Sequence, residues 1–268
     1  MAWCEATNDE TKDFLCSLRW GDLSGELVMD IGCGMGYMST KCILQRFPRV
    51  SEIVAIDKDP YCIHRSQMEF KNDSYKKVKF HCISITDMAE LEPWKGKISK
   101  IFSFHCISFV RRQERAFRNM FELLIPGGQA ALLFVLRSES DDVYLEMMKN
   151  PKWSRFFRHM NDRKILKLRE SDPTYYSNML KQIGFLVLFC REKIIEHVFY
   201  DDEECKDVIW ESTLLENIPR ELQDEFVEEA FSTFLTLHPR NEAGCLHYKY
   251  FMIEVLIQKY EIADGTEE

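Results

Sequence analysis

The segment Leu27–Gly36 constrains the fold of this chain more than any other part of its sequence. A short apolar run ends at Asp30, and glycines then occupy three alternate positions, Gly32, Gly34 and Gly36. Glycines between a strand and a helix normally mark a nucleotide site, because a backbone without Cβ atoms lets a ligand approach the helix N-terminus closely. The segment therefore predicts a nucleotide-binding loop after the first strand.

The neighbours of the loop indicate which nucleotide binds there. A dinucleotide fingerprint needs a glycine three positions after Gly34, where this chain has Tyr37. Asp30 instead suits a ligand with an α-ammonium group, and Asp57 ends the next predicted strand, where a carboxylate can accept both ribose hydroxyls. We therefore predict that the cofactor is S-adenosyl-L-methionine. The alternative is a tight turn with no ligand, in which Asp57 only caps the following helix.

Short β-branched runs alternate with helical-period segments, which is typical of βαβ units around a parallel sheet. The predicted fold class is α/β, a doubly wound, Rossmann-like methyltransferase sheet of seven strands with helical insertions. The predicted strands cover residues 26–31, 52–57, 78–83, 98–105, 129–136, 185–189 and 248–258. The main predicted helices cover residues 38–47, 60–70, 112–124 and 173–183, with acidic helices at 202–212 and 220–236.

We predict a single domain over residues 1–268, with substrate-lid insertions expected at 138–168 and 200–240. The lid hypothesis depends on aromatic and Met side chains in both segments, and ordinary core packing is the alternative. These side chains are Trp153, Phe156, Phe157, Met160, Phe226, Phe231 and Phe234.

Further cofactor contacts are expected where the third and fourth strands end, at the edge of the sheet that holds the glycine loop. Ser84 is the predicted adenine contact, with plain strand termination as the alternative, and Asp87 is a nearby source of charge. The complete predicted cofactor set is Asp30, Gly32, Cys33, Gly34, Gly36, Asp57, Lys58, Ser84, Ile85 and Ser103.

Composition excludes several other classes of protein. The formal net charge of −9, with 44 acidic against 35 basic residues, disfavours a nucleic-acid partner. Ten cysteines lie scattered without a CxxC pair, so we expect no metal site, no disulfide framework and a reducing compartment. Neither a targeting pattern nor an apolar run long enough for a membrane span is present, so we expect a cytoplasmic protein. The oligomeric state stays open.

Residues 101–124 carry a family resemblance. A Phe-Ser-Phe strand leads to Gln-Glu-Arg-Ala-Phe-Arg-Asn at the start of a helix, and Pro126-Gly127-Gly128 precedes the fifth strand. This segment resembles the juvenile hormone acid methyltransferases of insects, which are class I S-adenosylmethionine-dependent enzymes, and the likeness extends from Leu27 to the last strand. It implies methyl transfer to the carboxylate of a small apolar acid, such as farnesoic or juvenile hormone acid.

The sequence departs from the family after the fourth strand. Family members carry Leu-His-Trp-Ile there, and the Trp helps to hold the substrate carboxylate, whereas residues 107–110 of this chain are Ile-Ser-Phe-Val. We also expect no counterpart of the family's N-terminal helix, because few residues precede Asp30. The predicted acceptor-side residues, assigned to the catalytic step, are His105, Ser108 and Phe109. Arg111 and Arg112 are further donors, or simply surface charges.

Two other functions stay open beside the carboxyl O-methyltransferase. One is a methyltransferase that acts on another small molecule or on a protein. The other is a binding module that has kept the methyltransferase fold and lost catalysis. A nicotinamide-dependent reductase is disfavoured, because Tyr37 occupies the third glycine position.

Overall fold

The computed structural model describes residues 2–157, 172–199, 201–210, 215 and 218–260, and within them the side chains of all but residues 2–8 and 208–210. The described strands form one seven-stranded sheet in the order β3-β2-β1-β4-β5-β7-β6. The strands are β1 (Leu27–Ile31), β2 (Glu52–Asp57), β3 (Val78–Cys82), β4 (Ile98–Phe104), β5 (Leu124–Ser138), β6 (Phe185–Phe199) and β7 (Leu246–Lys259).

Strand β1 lies at the centre of the parallel part of the sheet. It pairs in parallel with β2 and β4, so that Asp30 lies opposite Ala55 on one side and Phe102 on the other. Strands β3 and β5 extend the parallel pairing outward. The order reverses between β1 and β4, and a crevice at the carboxyl ends of the strands is where such sheets bind ligands.

The central strands are nearly continuous apolar runs because helices cover both faces of a parallel sheet. Within β2, the four residues Ile53–Ile56 are all fully buried, and none of the residues of β1 or β4 is exposed. The predicted fold class is confirmed by this topology, and the bounds predicted for β2 agree with the structure.

Helices connect and flank these strands. The described α-helices are α1 (Ala2–Ser17), α2 (Thr40–Arg46), α3 (Pro60–Glu69), α4 (Met88–Leu91), α5 (Gln113–Leu123), α6 (Glu139–Lys149), α7 (Pro151–Phe157), α8 (Pro173–Ile183), α9 (Asp202–Trp210) and α10 (Arg220–Leu237). Among the described ranges, none of the helices combines the length and hydrophobicity that a membrane crossing needs.

Helix α1 precedes β1, in a region where we expected no counterpart of the family's N-terminal helix. Its last turns bury Phe14 and Leu15, and Leu18 is buried just beyond its end. The ring of Phe14 packs edge-to-face on Phe104 at the end of β4, with 6.0 Å between ring centroids. Burial of these side chains stabilises a helix whose sequence has only a weak amphipathic pattern.

Two further boundaries differ from prediction. Strand β6 continues to Phe199, ten residues beyond the predicted end, and exposed residues alternate with half-buried ones from Glu192 to His197. Arg191 donates to the buried carboxylate of Glu254 at 2.7 Å. Helix α5 ends at Leu123, and extended backbone begins at once at Leu124, ahead of the Pro-Gly-Gly segment that we expected to end it.

The chain divides into two compact units. The first contains residues 1–134, 173–192 and 253–268, and the second contains residues 135–172 and 193–252. The second unit therefore includes both predicted insertions, 138–168 and 200–240. Their action as lids stays a prediction.

The aromatic side chains predicted for the lid form the interior of the second unit. Trp153 is fully buried and packs edge-to-face on Phe226, with 5.1 Å between ring centroids, and its indole N–H donates to Glu229 at 2.6 Å. Phe157, Phe231 and Phe234 are also buried. Met160 lies outside the described residues. Phe156 is half-buried, whereas the other described members of this set are core residues, as the alternative expects.

Candidate functional site

A cleft of about 690 Å³ opens at the carboxyl ends of β1 to β4, within the first compact unit. Six predicted cofactor residues line it, namely Gly32, Gly34, Asp57, Lys58, Ser84 and Ile85. Two predicted acceptor-side residues, His105 and Phe109, line it as well. The fold thus brings together residues that lie up to about 80 positions apart in the sequence.

The glycine loop gives the cleft a bare backbone wall. Gly32 has φ +75°, and a Cβ atom there would lie 2.2 Å from the Sγ of Cys106. Gly34 has φ +54°, and a Cβ atom there would meet nothing within 4 Å. Gly32 is therefore required for packing against Cys106, which follows β4, whereas Gly34 leaves open space where a ligand can reach the backbone.

Asp30 lies fully buried beneath this loop. Its Oδ2 accepts hydrogen bonds from the hydroxyls of Ser39 at 2.7 Å and Thr40 at 2.6 Å. Its Oδ1 has no hydrogen-bond partner among the residues that the structure describes. Burial raises the pKa of Asp30 from its ordinary value of 3.8 to about 6, although both hydroxyls oppose the rise. A half-satisfied buried carboxylate is suited to a cationic ligand group.

Asp57 ends β2 and helps to shape the loop. Its Oδ2 accepts from the backbone N–H of Gly34 at 2.9 Å, and its Oδ1 accepts from the N–H of Asp59 at 2.9 Å. A carboxylate has about four acceptor positions, so two remain for other donors. The alternative role, a cap of α3, belongs to Asp59 instead, whose carboxylate accepts from the N–H of Tyr61.

The loop after β3 forms another wall of the cleft. Ser84 and Thr86 share a hydroxyl hydrogen bond of 2.9 Å, and Ile85 is buried between them. The carbonyl of Ile85 accepts from the side-chain amide of Asn119, on α5, at 2.7 Å. Asp87, which we considered as a source of charge, caps α4 by accepting from the N–H of Ala89.

His105 follows β4 in an unusual backbone conformation. Its φ of +56° lies in the left-handed region, which non-glycine residues rarely adopt. Its backbone N–H donates to the carbonyl of Leu133 at 2.7 Å, and its Nε2 lies 3.3 Å from the hydroxyl of the buried Thr11 on α1. Such strain is typical of functional positions. The imidazole is thus fixed at the edge of the cleft by the N-terminal helix.

A short 3-10 turn, Ile107–Phe109, continues this edge. Ile107 is fully buried, whereas the side chain of Phe109 is 67% exposed and lines the cleft. The side chain of Gln113 donates to the carbonyl of Ile107 at 2.9 Å and accepts from the hydroxyl of Tyr176 at 3.0 Å. Helix α5, through Gln113, and helix α8, through Tyr176, therefore hold this turn in place.

Five of the predicted site residues do not line the cleft. Asp30 lies beneath the loop, and Ser103 is fully buried and donates to the carbonyl of Ile31 at 3.0 Å. Cys33, Gly36 and Ser108 also lie outside the lining. A Cβ atom at Gly36 would approach the ring of Phe70 to 2.8 Å, so this glycine allows packing. The functional roles of all these residues stay predictions.

Other residues at the site were not included in the set predicted from the sequence. Arg111 and Arg112, which we also considered as surface charges, line the cleft while remaining exposed. Cys62 and Cys106 line it too, and burial, with the nearby charge of Asp57, raises the pKa of the Cys106 thiol to about 12. Thr11 was missed altogether. Apolar residues at positions 14, 15 and 18, which have helical spacing, were a sequence signal for helix α1, which carries Thr11.

Comparison with known proteins shows the family and the fold. The sequence profile of a family described as "Methyltransferase domain" matches residues 22–182, which is more than half of the chain. The crystal structure of a Bacillus halodurans protein described as a methyltransferase superposes with a TM-score of 0.61. That superposition covers 94% of this chain and 99% of the other at 14% identity, and thus shows the shared fold.

Two curated insect proteins align over most of the chain. Juvenile hormone acid O-methyltransferase of Drosophila melanogaster is 21% identical over 229 residues, which make up 84% of this chain and 76% of the insect protein. The protein of the same name from Bombyx mori is 26% identical over 217 residues, 79% and 74% of the respective chains. The resemblance expected from the sequence is confirmed. The chain belongs to the methyltransferase domain family, as a divergent relative of these insect enzymes.

Proposed function

We propose that this methyltransferase uses S-adenosyl-L-methionine to methylate the carboxylate of a small apolar acid. The observation that carries the cofactor assignment is the unpartnered Oδ1 of Asp30, fully buried beneath a glycine loop in the described part of the chain. Among common nucleosides, one that bears an amino acid supplies an ammonium group for such a carboxylate. Tyr37, at a position where a dinucleotide site needs glycine, agrees with this assignment.

The remaining cofactor contacts follow from the walls of the cleft. Asp57 would accept the ribose hydroxyls with the two acceptor positions that its backbone contacts leave free. Ser84 and Ile85 would meet the adenine, and Gly34 would admit the amino-acid part against the bare backbone. When bound, the cofactor supplies an electrophilic methyl group on a sulfonium.

The acceptor side of the proposal rests on the edge that follows β4. His105 and Phe109 line the cleft there, Ser108 lies between the buried Ile107 and Phe109, and Val110 adds apolar surface. The imidazole of His105 would orient a carboxylate, while Phe109 would contact the hydrocarbon chain; Ser108 lies outside the lining of the cleft. The insect relatives are named for action on juvenile hormone acid, and we extend that substrate class, apolar acids, to this chain.

The chemistry requires no general base. A carboxylic acid with a pKa of about 4 to 5 is already ionised at neutral pH. Its oxygen could therefore attack the methyl carbon directly, and the bond from that carbon to the sulfonium sulfur would break, releasing S-adenosylhomocysteine as a neutral thioether. The protein must align that oxygen with the methyl group and exclude water. Such alignment can remove about 7 to 11 kcal/mol from a bimolecular barrier. The fixed position of His105, held by Leu133 and Thr11, suits this orienting role.

The test is incubation with S-adenosylmethionine labelled in its methyl group and a panel of farnesoic acid, other isoprenoid acids and fatty acids. We expect a base-labile methyl ester from at least one apolar acid, and no label on the matching alcohols. Binding of S-adenosylhomocysteine without any ester across the panel would remove the acid acceptor from the proposal. Failure to bind the cofactor at all would refute the proposal as a whole.

A second acceptor class is favoured by one observation. Phe109, at the position of the family's Trp, has no N–H donor and is 67% exposed. A methyltransferase that acts on another small molecule or on a protein would not need the indole donor that holds a carboxylate in the family. Labelling of a cell extract, separated into protein and small-molecule fractions, distinguishes these acceptors from an apolar acid.

A further inference from the structure

Helix α5 carries two amide side chains, and each donates a hydrogen bond to a different loop that lines the cleft. We propose that Asn119 positions the nucleobase loop and that Gln113 positions the acceptor turn. Here the nucleobase loop means residues 84–87, and the acceptor turn means residues 107–110. The roles named for these loops rest on the function proposed above.

The contact of Asn119 is a single buried hydrogen bond. Its Nδ2 donates to the carbonyl of Ile85 at 2.7 Å, and the side chain is only 7% exposed. Because the acceptor is a carbonyl oxygen, only the NH₂ end of the amide can make this bond. Ile85 sits between Ser84 and Thr86, which both line the cleft. Fixing its carbonyl therefore fixes the backbone that presents these side chains to the cofactor.

Gln113 acts on the other side through both ends of its amide. Its Nε2 donates to the carbonyl of Ile107 at 2.9 Å, while its Oε1 accepts from the hydroxyl of Tyr176 at 3.0 Å. Tyr176 is itself 2% exposed, with its ring edge-to-face on Phe134 at 5.2 Å between centroids. The acceptor turn is thus tied, through Gln113, to a side chain that packing holds in place.

The helix is a rigid support for both amides. Its inner face, Ala116, Phe117, Met120 and Leu123, is fully buried. Neither Asn119 nor Gln113 lines the cleft. They are therefore positioning residues, which act through the backbone of the loops they hold, and each is expected to affect a different ligand.

The test begins with three variants of the full chain. Asn119→Leu keeps the shape of the side chain and removes the donor, and Gln113→Met does the same for the other amide. The matched control is Gln129→Met. Like Gln113, Gln129 is a half-buried amide of the first unit, and it does not line the cleft. Its side chain accepts from the indole N–H of Trp20 and bonds to Gln258. A fourth variant, Gln113→Glu, keeps the acceptor for Tyr176 but loses the donor to Ile107.

Affinity and turnover separate the two roles. We expect Asn119→Leu to weaken S-adenosylhomocysteine binding by about fivefold to tenfold in calorimetry, as loss of one buried hydrogen bond would. Gln113→Met and Gln113→Glu should leave that affinity within about twofold and raise the KM for farnesoic acid by about fivefold to tenfold. Gln129→Met should lower the melting temperature without changing either ligand parameter.

Hydrogen exchange gives a readout that needs no acceptor. The N–H of Asp87 bonds to Ser84, and the N–H groups of Phe109 and Val110 bond within the acceptor turn and to the residue before it. Asn119→Leu should speed exchange in residues 84–87 alone, and Gln113→Met in residues 107–110 alone. Equal changes in both loops, or ligand effects no larger than those of Gln129→Met, would overturn the inference. If farnesoic acid is not methylated, the acid acceptor fails, while affinity and exchange still decide the roles of both amides.

Discussion

Replacing Asp30 with asparagine should make the unliganded protein more stable and the cofactor site worse. The side chains have the same shape, and the amide oxygen of asparagine can accept from Ser39 and Thr40 as Oδ2 does now. The buried negative charge disappears. Because a tenfold change in an equilibrium is worth about 1.4 kcal/mol, a rise in pKa from 3.8 to about 6 amounts to about 3 kcal/mol of folding free energy.

The pH dependence of this gain follows from the direction of the shift. The folded state binds the Asp30 proton more tightly than the unfolded state, so ionisation destabilises the wild-type fold as pH rises from about 4 to about 6. The amide of the Asp30→Asn variant cannot ionise. The two proteins should therefore have equal stability below about pH 4, and the variant should lead by about 3 kcal/mol above about pH 6.

Cofactor binding should change in the opposite direction. The ammonium group would lose a charged hydrogen-bond partner worth about 2 to 3 kcal/mol, which corresponds to about 30-fold to 150-fold in affinity. In the wild type, affinity should fall about tenfold for each pH unit below about pH 6, because the carboxylate must be ionised to bind. In the variant this dependence should be absent.

Urea denaturation at about pH 4 and about pH 8, with calorimetric titration of S-adenosylhomocysteine at the same values, measures both effects. A control variant, Asp59→Asn, removes an exposed carboxylate on the same rim without touching Asp30. An Asp30→Asn variant that is less stable than the wild type at about pH 8, or that binds S-adenosylhomocysteine with unchanged affinity, would show that the Asp30 carboxylate does not have this role.

Three further changes test the walls of the cleft. Asp57→Ala should weaken S-adenosylmethionine binding by about 1 to 3 kcal/mol in calorimetry, and unchanged affinity would exclude the ribose assignment. Gly32→Ala should destabilise the fold by more than about 2 kcal/mol, because its Cβ would collide with Cys106, whereas Gly34→Ala should cost only about 1 kcal/mol of backbone strain. Denaturation of both glycine variants checks this, and equal losses would contradict the packing argument. Phe109→Trp should raise kcat/KM for farnesoic acid by about threefold to tenfold without changing cofactor affinity, since the indole adds a donor. Weaker S-adenosylhomocysteine binding by this variant would argue that Phe109 lies on the cofactor side.

The fold was largely predictable because its signals are local. Buried parallel strands read as continuous apolar runs, and the residues of β2 show this without ambiguity. Parts of the fold were missed where the local signal was weak or contradictory. The second half of β6 contains charged residues that are not typical of a buried strand. Helix α1 depends on burial of Phe14 and Leu15, which its local sequence does not reveal.

Local sequence patterns were enough to identify the glycine loop, the acids at the ends of β1 and β2, and hence the predicted class of cofactor. These features lie within single strand-loop-helix units, where spacing along the chain fixes position in space. The contacts that support the cleft become visible only in the folded chain. Thr11 and His105 are 94 residues apart in the sequence, and Asn119 and Ile85 are 34 apart. Hydrogen bonds across such separations arise from the packing of helices on the sheet, which no local pattern encodes.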